Sequence, residues 1–151
     1  MCVAPDKIKK VVLYVPSGIS NAPAINSMSM MFPMIMYWIT HKDKWVKKCI
    51  LPMAIEEGNI TDDIYETAKL SIDFSKVKTG MPSNVDVKDM KKCKAPALVM
   101  AAEKDCLFPA KQVLSRATKI INYSTTYLLE ARGHIHYLTD KEKKMIVNFL
   151  V

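Results

Sequence analysis

Three short runs of apolar and β-branched residues, each bounded by proline or glycine, constrain this chain most. They are Val11, Val12, Leu13, Tyr14 and Val15 before Pro16 and Gly18, then Leu98, Val99 and Met100 after Pro96, and finally Thr125 to Leu129 before Gly133. Runs of this kind read as strands of a parallel sheet, covered on both faces so that the alternation of a half-exposed strand disappears. Between the second and third, Pro109 suits a first helical turn, and Val113, Leu114 and Ala117 recur at helical spacing. Strand, helix and strand within about thirty residues make a βαβ unit with a right-handed crossover. After the third run, Thr139 and Glu142 have capping-box spacing, and Met145, Ile146, Phe149 and Leu150 form an apolar stripe. A helix is expected to close the chain.

The region between the first and second strands lacks strand signals and carries helical ones. The stretch around Met28, Met30, Met31, Met34 and Met36 is methionine-rich, the next segment is amphipathic up to Pro52, and Thr61 precedes the acids Asp62 and Asp63 as a helix start would. The expected organisation is a first core strand and loop at residues 1–18, a helical insertion at 19–90, and a βαβ unit with a C-terminal helix at 91–151. The fold class is α/β, a three-stranded parallel sheet with flanking helices and a helical cap, in one structural unit.

Composition narrows the function classes. The net charge is +7, yet the basic residues are nearly all lysine, with Arg116 and Arg132 the two arginines. The lysine pairs, such as Lys9 with Lys10 and Lys143 with Lys144, are dispersed along the chain. Dispersed lysines suit solvated helix faces better than a phosphate-tracking stripe, so no nucleic-acid partner is expected. Cys2, Cys49, Cys93 and Cys106 stand far apart with no CxxC pair, which favours reduced thiols in a cytoplasmic protein. The longest apolar run contains Pro33 and falls short of the ~20 residues that span a bilayer, so no membrane segment is expected. No metal or other cofactor is expected.

Asp105 follows the second strand and His134 the third. In an open parallel sheet the carboxyl ends of neighbouring strands share one edge, where such sheets place their ligands. An aspartate and a histidine there can meet, the carboxylate fixing the imidazole tautomer. His136 lies near the same rim. The His134/His136 pair is half a metal site at most, since no acid or cysteine cluster completes it. Cys106 sits beside Asp105, whose charge raises a thiol's pKa, and reads as a packed thiol. Met31, Met34 and Trp38 either line an apolar pocket or pack the cap against itself, and packing is the favoured reading.

The segments "APALVMAAEKDCLFPAKQV" and "LLEARGHIHYLTDKEKKMIVNFL" resemble the acid loop and the final Gly-His strand of the α/β-hydrolase family, and "APDKIKKVVLYVPSGI" resembles the strand before its cap. The resemblance covers essentially the whole chain. It implies that Asp105 is the triad acid and His134 the triad base of an acyl hydrolase acting on a small ester. Ala101 and Ala102 replace the glycine usual before the acid loop. The family's GxSxG nucleophile elbow has no counterpart among these residues, so the chain reads as a truncated hydrolase with little activity of its own. Ser17 is the one substitute in place, but Val15 stands where an elbow needs a small residue, and Pro16 precedes the serine. A loop serine lining the site is the plainer reading. The alternative function is a non-catalytic binding or interaction module. An exposed, apolar first-strand edge further implies a homodimer.

Overall fold

The structure is a computed structural model and describes residues 1–23, 25–75 and 82–151, with the side chains of residues 25–28, Met28 among them, outside the described set. After a 3₁₀ turn at Pro5–Lys7 come strand β1 (Val11–Tyr14) and helices α1 (Ile25–Thr40), α2 (Asp43–Ala54), α3 (Asp62–Phe74) and α4 (Val87–Lys92). Strand β2 (Ala97–Ala102), helix α5 (Ala110–Ile120), strand β3 (Ser124–Leu129) and helix α6 (Asp140–Leu150) complete the chain. The strands run parallel in the order β1-β2-β3, with Leu13 paired to Val99 and Val99 to Thr126.

Alternation along the strands sorts the core into two layers. Ala97, Val99 and Ala101 face the side covered by Ala110, Val113, Ala117 and Ile120 of α5, joined there by Val11 and Leu13. Leu98, Met100 and Ala102 face the side covered by Met145, Ile146 and Phe149 of α6, joined by Val12 and Tyr14. Every residue of β2 is buried, which accounts for its unbroken apolar run. The edge strand β3 keeps Thr125, Thr126 and Leu128 exposed. At β1, Val11 and Val15 donate backbone N–H bonds to Pro96 and Met100 of the β2 side. In a parallel ladder the intervening residues, Val12 and Tyr14, turn their backbone groups to the free edge.

The regular elements described in the insertion are all helical, with α1 packed on α2 and α2 on α3. Two local expectations differ. Thr61 is the N-cap of α3, but its side chain makes no capping bond and turns to Asp63 and the Tyr137 hydroxyl. Leu150 is half exposed and does not join Met145, Ile146 and Phe149 in covering the Leu98 face. The capping box at Thr139 and Glu142 is present in both directions.

Candidate active site

The carboxyl edge of the sheet carries the two candidate groups. β2 ends at Ala102, and the turn that follows is closed by a bond from Asp105 N–H to the Ala102 carbonyl. Asp105 is buried, and its Oδ1 accepts the N–H groups of Leu107 (2.8 Å) and Phe108 (3.0 Å) at the entrance to α5. Its Oδ2 lies 2.9 Å from Nδ1 of His134. A carboxylate only accepts, so Nδ1 carries a proton, and in the neutral ring Nε2 presents its lone pair. Among the described residues Nε2 has no hydrogen-bond partner, and the His134 side chain is 24% exposed. Phe108 packs beside the imidazole at a ring separation of 5.4 Å. This pair can take a proton from a hydroxyl or water reaching Nε2, with the charge that develops on the ring facing a buried carboxylate.

The loop that carries His134, between β3 and α6, is held from several sides. Ala131 has a left-handed backbone (φ 55°), and its N–H is received by the Glu103 carboxylate at 2.7 Å. Lys104 N–H donates to the Arg132 carbonyl, and Ile135 N–H donates to the Met53 carbonyl at the end of α2. A Cβ on Gly133 would stand 2.2 Å from that same Met53 oxygen. The glycine of the Gly-His pair is therefore required by the cap, which presses its backbone against the loop.

His136 is held by other partners. Its Nδ1 lies 2.8 Å from the Gly133 carbonyl, and its Nε2 lies 2.7 Å from the Tyr14 hydroxyl on β1. Burial above all holds its pKa below the ordinary histidine value, against the raising effect of the Gly133 bond. The Tyr14 phenol is pushed up to about 12, again chiefly by burial. With both ring nitrogens engaged, His136 lines a polar cleft of about 400 Å³ together with Asn59, Thr61, Arg132 and Tyr137. The Tyr14 contact escaped sequence reasoning, because nothing in the "VVLYV" run marks its tyrosine as a loop partner.

The remaining candidates are more dispersed. Ser17 is exposed in the turn after β1, and its hydroxyl has no partner among the described residues. No helix begins directly behind it, so its turn is not a strand-to-helix elbow. Val15, just before that turn, has φ 39°, a strained position for a β-branched residue. Met34 is half buried, whereas Met31 (41%) and Trp38 (47%) are exposed on α1 with Phe32, Ile35 and Ile39. Burial thus sets Met34 apart from Met31 and Trp38 within the cap. Cys106 is half buried and its thiol is raised, first by burial and then by the Asp105 charge. All four cysteines are free thiols. Among the described residues no group of three histidines, cysteines or acids gathers in metal-binding reach, and no helix is long and apolar enough to cross a membrane.

No protein-family model and no curated protein matches the sequence. Solved structures do match. A naproxen esterase from Bacillus subtilis superposes with a TM-score of 0.70 at 10% identity, covering 99% of this chain and 54% of the esterase. A carboxylesterase from the same organism gives 0.72 at 14% identity, covering 99% and 53%. The 2-hydroxy-6-oxo-6-phenylhexa-2,4-dienoate hydrolase from Rhodococcus gives 0.67 at 16% identity, covering 99% and 57%. The chain spans little more than half the length of each. Its fold is a partial α/β-hydrolase fold, in which three parallel strands, their flanking helices and a helical insertion are present.

Proposed function

We propose that this chain supplies the acid and base of a serine-hydrolase site, with Asp105 orienting His134 and His134 moving the proton, while the nucleophile comes from a segment other than these 151 residues. The observation that carries this reading is the 2.9 Å contact between a buried carboxylate and a histidine whose Nε2 has no partner among the described residues. The substrate class is a small ester or related acyl compound, in keeping with the esterases and hydrolases that share the fold. Met31, Met34 and Trp38 of the cap are proposed to meet the apolar part of that substrate, and His136 its polar rim. Alone, the chain hydrolyses esters only slowly, through His134 acting on water. Four free thiols suit a reducing compartment, and we place the protein in the cytoplasm.

Labelling with a fluorophosphonate followed by intact-mass measurement tests the missing nucleophile. The expected result is an unchanged mass. A single adduct on Ser17 that disappears in His134→Ala would instead give this chain its own serine.

A second reading has its own support. Phe32, Ile35, Trp38 and Ile39 of α1, with Leu70 and Phe74 of α3, are large apolar side chains left exposed on the cap. Such a surface suits an interaction module that has kept the fold without the chemistry. Either reading needs cover for the β1 edge, and we propose that β1 of a second copy pairs with it about a two-fold axis. A monomer by light scattering at micromolar concentration would exclude that dimer.

A further inference from the structure

The peptides on either side of His134 are each pinned by one hydrogen bond. On its C-terminal side, Ile135 N–H donates to the Met53 carbonyl at 3.0 Å. On its N-terminal side, the Gly133 carbonyl accepts from Nδ1 of His136 at 2.8 Å, so the direction of the His134 side chain depends on where the His136 ring is held. That ring is held by Tyr14, a residue of the edge strand 122 positions earlier in the chain. Its hydroxyl lies 2.7 Å from Nε2 and 3.1 Å from the His136 carbonyl oxygen.

The two distances from one hydroxyl have a definite chemical meaning. A carbonyl only accepts, so Nδ1 of His136 is protonated, and in the neutral ring Nε2 must accept the Tyr14 proton. When the ring gains a second proton, Nε2–H donates to the Tyr14 oxygen, and the hydroxyl proton turns to the His136 carbonyl. The one hydroxyl can close the turn in both states. The charged and titratable groups facing the pair are Arg132, Glu142 and, toward His136, His134.

We propose that Tyr14 is a positioning residue for His134, acting through the ring of His136 to fix the Gly133 carbonyl and hence the His134–Asp105 hydrogen bond. Its use in catalysis rests on the acid–base role proposed above, whereas the positioning itself can be read without turnover. The measurement is solvent exchange of the His134 Nδ1–H by NMR on the full chain. Tyr14→Phe keeps the packed ring, removes one oxygen, and speeds that exchange about tenfold. His136→Ala does the same, and adding Tyr14→Phe to it changes nothing further. His136→Asn retains a donor near the Nδ1 position and stays closer to wild type than His136→Ala.

Exchange in Tyr14→Phe within about twofold of wild type would overturn the proposal, as would an undiminished Tyr14→Phe effect in the His136→Ala background. Should Tyr14→Phe not fold, equal exchange in His136→Asn and His136→Ala has the same force. A chain that hydrolyses no ester still returns this answer, so the proposal and the hydrolase reading fail separately.

Discussion

The Met53 carbonyl, at the last turn of the cap helix α2, accepts the Ile135 N–H at 3.0 Å and sits where a Cβ on Gly133 would clash at 2.2 Å. The cap and the histidine loop therefore meet backbone to backbone on both sides of His134. Gly133→Ala forces one of them to move. It is expected to destabilise the chain by about 3 kcal/mol in urea unfolding, at the upper end of overpacking costs, and to weaken the His134–Asp105 bond in imidazole NMR spectra.

Asp105→Asn preserves volume but reverses the polarity of one contact. The amide oxygen continues to receive the Leu107 and Phe108 N–H groups, which leaves the NH₂ facing His134. Nδ1 must then accept, and the proton moves to Nε2, the atom that should act as base. His134-dependent ester hydrolysis is expected to fall by about 10²–10⁴-fold, with the ¹⁵N spectrum showing the Nε2–H tautomer.

The pH dependence of stability follows from His136. Its pKa is lowered in the folded protein, above all by burial, so below the ordinary histidine value the unfolded chain takes up a proton that the folded one resists. The stability it contributes is complete above the unfolded value of about 6.5 and is lost as pH falls from there through the lowered folded value. Melting temperatures measured between about pH 8 and pH 5 should fall on the acid side, and His136→Asn should flatten that slope.

Glu142 couples the same loop to α6. It is buried, and despite the opposing effect of burial its carboxyl is held below the usual value by hydrogen bonds from Thr139 N–H, the Thr139 hydroxyl and Arg132. Thr139→Ala removes the side-chain half of the capping box and is expected to cost about 1–2 kcal/mol. Arg132→Met leaves a buried carboxylate without its cation and should cost more. Denaturant midpoints of the two variants give the order directly.

The buried elements were the most legible in the sequence. β2 is an unbroken apolar run because α5 and α6 cover both its faces, and Thr139 with Glu142 spelled out a local cap that needs no tertiary context. Asp105 and His134 were legible through their places at two strand ends, because adjacency in a parallel sheet follows from the βαβ connection. The partner of His136 was not legible. Tyr14 lies 122 positions away, and no local pattern encodes a contact between a strand residue and so distant a loop. Exposure of Met31 and Trp38 was equally hidden, because composition records that a helix is apolar but not which of its faces is covered.

Stopped-flow hydrolysis of a short-chain aryl ester asks whether His134, held by Asp105, works as a base with no nucleophilic serine from this chain. The expected result is slow turnover with no burst, unchanged in Ser17→Ala and reduced to the buffer rate in His134→Ala. A burst that vanishes in Ser17→Ala, or turnover indifferent to His134→Ala, would contradict it.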